Sequence, residues 1–483
     1  MNKFKILDSL IKLIFYLTLV IGMFFENNLA QNTTDFCLKC HKANGDKAAV
    51  MFTKDIHYEM GVSCADCHGG DQSKSNMGEA MSEKNNFIGV PKGNRISELC
   101  SQCHSDEYQN LINSVHGKLT IKGDQIITQC ITCHGIHNIL RKEDKNSNVN
   151  ALNVAKICAG CHSNIAYIKK YNPELPTDQY EKYLTSKHGI LNSKKDPKAA
   201  SCVSCHGSHE IRNVNDVKSK VYASNLPEVC SVCHSDSQYM KDYKIPTDQY
   251  DKYIGSVHGI ALLKKGDLAA PSCNDCHGNH GAAPPGVESI SKVCGICHAL
   301  NAELFAKSPH KKAFDTLNKP ECETCHGNHE IIVGTDQLIG NTKGTICYQC
   351  HNENQNVEGF IVAGKMRAIL DSLVKLEETT VKLITDAEQK GMEVSEAKFK
   401  LRDIRQAKLE TRTIIHAFNF DTFEKTSNNA LSLIYDVKSL GEKAVNEYYF
   451  RRWGLLAATA IISVLAITLF IYIKKLEKKS NGK

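Results

Sequence analysis

Ser201-Cys202-Val203-Ser204-Cys205-His206-Gly207-Ser208-His209 holds in nine residues the two signals that organise the chain. The first is Cys-x-x-Cys-His, two thiols and an imidazole within five positions. The second is a further histidine three residues on, behind a glycine. Read outward from here, the first signal recurs until the cysteines run out. All 22 cysteines fall into eleven such units: Cys37/Cys40/His41, Cys64/Cys67/His68, Cys100/Cys103/His104, Cys130/Cys133/His134, Cys158/Cys161/His162, Cys202/Cys205/His206, Cys230/Cys233/His234, Cys273/Cys276/His277, Cys294/Cys297/His298, Cys322/Cys325/His326 and Cys347/Cys350/His351. This unit is the attachment signature of haem c: the thiols bond to the porphyrin edge and the adjacent His becomes the proximal ligand to iron. A disulfide framework gives no reason for a His after every second Cys. Structural zinc uses Cys-x-x-Cys knuckles in pairs without that His. The expectation is about eleven covalent haems.

Eleven of the 21 histidines belong to the motifs, which leaves ten. His57, His116, His188, His258 and His310 each stand ahead of a pair of motifs. His137, His209, His280 and His329 each follow a proximal His by three residues, too close to reach the far face of the same iron. They therefore predict service to a neighbouring haem. His416 stands apart. A low-spin haem takes a second axial ligand, most often His, so these ten are the candidate distal ligands; a solvated surface His is the plain alternative for each. Ten cannot serve eleven, so at least one haem uses Met, Lys, water or another group. The first module departs from the pattern, because Gly69-Gly70-Asp71 follows His68 where others carry His. Unusual ligation is expected near it, with Met60, Met77 and Met81 as thioether candidates.

The free His, a Cys-x-x-Cys-His-Gly motif and a second motif form a unit that repeats five times within residues 31–355. Cys37–His41 stands alone ahead of the first copy. Pro176-Thr177-Asp178-Gln179-Tyr180 recurs as Pro246-Thr247-Asp248-Gln249-Tyr250, a period of 70. With about 30 residues per haem the polypeptide cannot build an ordinary core round each cofactor; the haems are expected to supply most of the buried apolar surface. The strings Ser114-Val115-His116-Gly117 and Ser256-Val257-His258-Gly259, with the Cys-His-Gly-x-His strings ending at His137, His209, His280 and His329, resemble the cytochrome c3-like, doubled Cys-x-x-Cys-His superfamily. The resemblance covers roughly residues 31–355. It implies a multihaem cytochrome in which a haem-organised, mostly α domain of low regularity moves electrons along bis-His haems.

The ends of the chain speak to location. Residues 1–30 read as a secretory signal, with Lys3 and Lys5, an apolar run from Leu10 to Phe25 and Ala30 at the cleavage position; a retained N-terminal anchor is the competing reading. Gly454 to Ile473 is an uncharged apolar stretch of 20 residues, about 30 Å as a helix and so the thickness of a bilayer core. Residues 451–473 are thus predicted to be a transmembrane helix, with Tyr448, Tyr449 and Trp453 as its aromatic belt and the lysine-rich tail 474–483 in the cytoplasm. Between these lies 356–450, a charged stretch with Ile361, Met366, Leu370, Leu373, Leu376 and Leu383 at helical spacing. It predicts a long-helix bundle or hairpin, broken at Gly391 and restarted by a cap at Asp421, with His416 ending the middle helix as a candidate ligand near the membrane.

Formal charge is +6, but two propionates per haem turn the loaded protein negative, which argues against nucleic acid as a partner. The expected function is electron relay from a membrane donor, a quinol-oxidising subunit, to periplasmic cytochromes or an outer acceptor. The protein would be exported and held on the periplasmic face of the cytoplasmic membrane. The rival is an oxidoreductase acting on nitrite, hydroxylamine or a sulfur oxyanion at one open haem, and no catalytic residue is assigned.

Overall fold

The computed structural model describes residues 35–119, 123, 126–282 and 290–481, so the expected signal segment lies outside the described residues. Among the described residues there is no strand, only two isolated bridges. The chain divides into two compact units: Met1–Tyr250 with Lys265–Pro284, and Asp251–Lys264 with Pro285–Lys483.

The first unit is built from helices of four to nine residues joined by turns. Seven of the eight motifs in this unit lie within helices, and the Asn94–Cys100 helix ends at the first Cys of the other. Cys64–His68, Cys130–His134, Cys202–His206 and Cys273–His277 are single turns of five residues. One turn places residues i and i+3 on the same side, so both thiols of a motif share a face and the His follows at i+4. So short a helix cannot sustain itself, and each is clipped at its start. Reciprocal caps form between Ser63 and Asp66, Gln129 and Thr132, Ser201 and Ser204, and Ser272 and Asp275. The glycine after the His ends the turn with a positive φ of 69° to 84° in these four, which an L side chain resists. That reversal swings the next His away from its own motif.

In the second unit, three long helices carry the apolar core: α1 (Val357–Gln389), α2 (Ser395–Ile414) and α3 (Phe420–Ser480). Leu373, Ile384, Ile404, Ala430, Ile434 and Val437 meet in one cluster, and Met366, Leu370, Ile415 and Phe423 in a second. Gly391, at φ +76°, turns α1 into α2. The cap of α3 is Asn419, whose side chain accepts from the Thr422 amide, two residues before the expected Asp421. Gly441 lets α3 approach α1, where an added Cβ would lie 3.0 Å from Leu383.

The ends of this bundle differ. At one end His351 abuts the first turn of α1, Asp336 takes a two-pronged ion pair from Arg412 at 2.8 and 2.6 Å, and Phe418 packs on His310. At the other, Lys390 lies over the Tyr448 ring and Met392 packs near Ala444. From there α3 continues into the apolar segment, and it is long and apolar enough to cross a membrane. With 33 residues in α1, the two ends stand about 50 Å apart.

Candidate haem sites

The histidines meet in pairs. Ring centroids are separated by 5.9 Å for His68 and His137, 6.0 Å for His57 and His104, 6.1 Å for His116 and His162, and 6.0 Å for His134 and His209. His188 with His234, and His206 with His280, repeat this at 6.0 and 6.1 Å. In the second unit the pairs are His258 with His298 at 6.2 Å, His310 with His351 at 5.7 Å, and His326 with His416 at 6.2 Å. Every pair joins one motif His to one spare His. Two metal–imidazole bonds of about 2 Å each, plus the half-widths of two rings, span this separation, so the pairs fit opposite faces of one iron. His277 ends its motif helix in the first unit, and His329 follows the Glu321–His326 helix in the second.

The pairing has a register. The His that opens a module faces the second motif of the same module, as His57 faces His104. The His inside Cys-His-Gly-x-His faces the first motif of the preceding module, as His137 faces His68. A backbone hydrogen bond fastens each such junction: Ile56 N to Ile139 O at 2.8 Å, Val115 N to Ile211 O at 2.8 Å, Lys187 N to Ala282 O at 2.9 Å and Val257 N to Ile331 O at 3.0 Å. After the fifth module there is no sixth, and His416 supplies the ring that faces His326. His416 thus sits at the bundle end remote from the apolar segment, because α2 runs back up from the Gly391 turn.

The His-Gly step also has a reason. An added Cβ at Gly189 or Gly259 would fall within 2.0 Å of the carbonyl of Tyr183 or Tyr253, so the backbone passes there too closely for any side chain. The serines before these histidines cap the turn, with Ser186 Oγ accepting from Gly189 and Ser256 Oγ from Gly259.

Several rings are prepared for a metal. Donation from Nδ1 to a carbonyl or carboxylate leaves Nε2 free to ligate; His68 donates to Gly89 O at 2.8 Å, His416 to Thr413 O at 3.0 Å and His57 to Asp55 at 2.8 Å. Asp55 also accepts from the Ile139 amide at 2.7 Å. Burial works to raise its pKa, but these hydrogen bonds win and hold it below the usual carboxylate range. The same bond from Asp55 raises His57. Burial lowers His116, His134, His162, His188, His206, His234, His280 and His326, which favours the neutral imidazole that binds a metal.

The thiols follow chain order in space. Cys100 donates to Cys130, Cys158 to Cys202, Cys230 to Cys273 and, in the second unit, Cys322 to Cys294. Burial pushes Cys64 up to about 12 and Cys205 and Cys325 to about 11, with Cys37, Cys230 and Cys347 among the nearby thiols that add to it. Cys67 stands near Cys103 and Cys133 near Cys161 in the same way. Within each unit, motifs adjacent in sequence are adjacent in space.

The two thiols of a motif are not equally sheltered, although in sequence they read as equivalent attachment points. Every first thiol is half-buried, whereas Cys40, Cys67, Cys103, Cys276, Cys297 and Cys350 are exposed. Cys276, Cys297 and Cys350, expected as attachment points, are among these exposed thiols. Local structure gives the reason. The Ile290–Cys294 helix stops three residues short of Cys297, and the Cys347–Gln349 turn stops just before Cys350. Their amides reach back only to the first Cys of the motif, Cys297 N to Cys294 O at 3.3 Å and Cys350 N to Cys347 O at 3.2 Å. Cys276 lies near the end of a five-residue helix, Cys273–His277. A thioether needs a porphyrin edge beside the sulfur rather than a protein wall, so exposure is compatible with attachment at all three.

Three family models match parts of the chain: cytochrome c554 and c-prime over residues 23–69, cytochrome c3 over 56–163, and the doubled CXXCH motif over 316–356. No curated protein and no solved structure matches it. Helices clipped around paired thiols, opposed imidazoles and these three matches agree on one family: the chain is a multihaem c-type cytochrome, an electron-transfer protein carrying covalent haem c.

Proposed function

We propose that the protein holds eleven haems and relays electrons along them in motif order, within each unit, between a membrane-associated donor and periplasmic acceptors. The observation that carries this is the register: opposed histidines recur from module to module while, within each unit, the thiols of successive motifs lie near one another. All 22 motif cysteines, the exposed Cys276, Cys297 and Cys350 included, would hold the porphyrins, with the paired histidines as axial ligands. The bound haems supply the one-electron chemistry. The chain's own residues fix their spacing, exclude a free coordination site at the paired positions and tune potentials through burial and charge. The apolar part of α3 would anchor the protein with the lysine-rich tail in the cytoplasm and both units exported.

The bundle narrows the choice of donor. His310, His326, His351 and His416 lie at the end about 50 Å from the membrane segment, so a quinol inside the bilayer cannot touch those haems. Electrons would enter or leave there through a redox protein, either a projecting subunit of a quinol-oxidising complex or a periplasmic cytochrome. Film voltammetry of the full-length holoprotein with a soluble cytochrome as acceptor tests the relay. Replacing Cys158 and Cys161 with Ser removes one haem from the middle of the row and should cut the catalytic current at least tenfold. A current equal to wild type, with ten haems confirmed by mass, would sink the ordered row.

A further inference from the structure

All 21 histidines lie among the described residues, and His41 joins none of the nine opposed pairs described above. The register explains why. Thiol contacts identify the Cys37–His41 motif as a second-half motif, since Cys37 lies near Cys64 as Cys100 lies near Cys130 and Cys158 near Cys202. In complete modules the partner of a second-half His is the opening His upstream, such as His57 for His104. Residues 1–36 contain no histidine. The Cys37–His41 motif thus has the placement of a second-half motif, and residues 1–36 supply no opening His for it.

The same register bears on Asp71. A His there would face the first motif of a preceding module, and residues 1–36 carry no such motif. Asp71 instead accepts from the Ser73 amide at 2.9 Å and hydroxyl at 2.6 Å. Met60 and Met77 are 69% and 71% exposed, pointing to solvent rather than to a ligand position. On the proximal side, His41 Nδ1 donates to Asp46 at 2.5 Å. A carboxylate partner makes an imidazole a stronger donor to its metal, which supports an iron bound from one side only.

We propose that the haem at Cys37, Cys40 and His41 keeps its sixth iron position for a small exogenous ligand, one that donates a lone pair to iron. The relay would then end, at its N-terminal haem, in a ligand-binding terminus. This rests on the relay reading for its haem content, and only binding is claimed.

The test uses the full-length haem-loaded protein, reduced, with carbon monoxide as probe. Roughly one haem in eleven should shift to the carbon monoxide-bound spectrum, and the ferric protein should show one high-spin signal beside ten low-spin haems. Replacing Cys37 and Cys40 with Ser and His41 with Ala should abolish both signals and leave ten low-spin haems. His57→Ala strips the partner from His104 and should double the bound fraction, which calibrates the readout. Asp46→Asn should keep the binding but raise the carbon monoxide stretching frequency, because the iron receives less charge from His41; an unchanged frequency would remove Asp46 from the argument. The site is overturned by an absence of carbon monoxide binding with every haem reducible, or by binding that survives loss of the His41 motif. A methionine-to-iron charge-transfer band lost in Met60→Ala, Met77→Ala or Met81→Ala overturns it equally. Failure of the relay would show differently, as haems that are present but do not exchange electrons.

Discussion

An imidazole binds iron only through an unprotonated nitrogen, and burial arranges this most strongly at His310. Its pKa is pushed down from 6.5 to about 4, first by burial and then by His351 nearby. The folded value lies below the unfolded one, so the unfolded chain holds more protons between them. The stabilisation from this group is complete above about pH 6.5 and drains away as pH falls toward 4. In the haem-free chain, where no iron holds the ring, urea midpoints of the C-terminal unit should therefore drop across that window, and a flat profile would contradict the buried placement. His416 offers a second residue-scale check. His416→Ala should leave the haem count unchanged while converting one low-spin haem to high spin by electron paramagnetic resonance. In sequence His416 was only a solitary histidine after a helix; its kinship with His137, His209 and His280 is invisible there, because no Cys-His-Gly precedes it. The kinship comes from α2 returning the chain to His326. The reason for glycine after His188 and His258 was equally hidden, since it lies in a carbonyl brought in by the fold. Hidden too was the exposure of Cys276, Cys297 and Cys350, which depends on where each short helix stops.

The elements divide into two kinds, stabilised by different forces. Motif helices of five residues are shorter than two turns, so no periodicity can announce them; they rest on end caps and on the haem. The bundle helices were legible, because Met366, Leu370 and Leu373 repeat at helical spacing and fall on the buried face. The start of α3 was misplaced by two residues, where Asn419 and Asp421 offer competing caps. Phe423 is fully buried where α3 meets α1. Phe423→Ala should cost about 3–5 kcal/mol of C-terminal unit stability, read by chemical denaturation followed by circular dichroism. A loss below ~1 kcal/mol would mean that this cluster does not hold the bundle. Gly259→Val should be severe by another route: the side chain meets the Tyr253 carbonyl, so the expected readout is loss of the His258 haem ligation rather than loss of helix.

Over the whole molecule, the motif count makes the boldest statement: intact mass should give eleven haems, and fewer than ten would break the reading. Cleavage between Glu447 and Arg452 should release a red, soluble product, because all motifs precede residue 352. The motif count and the repeat order could be read from the chain alone. The distance of haems from the bilayer could not, since it depends on the direction in which three helices run. That distance has an electrical consequence. A charge moving through the membrane works against the transmembrane voltage by about 2.3 kcal/mol per 100 mV, and a charge moving outside it does not. In the proposed arrangement the haems at His326 and His351 would stand about one α1 length beyond the bilayer. Electron hops between them would then be electrically silent and neither build nor consume membrane potential. Clamping proteoliposomes at different potassium diffusion potentials should leave the rate of electron exchange at this end unchanged.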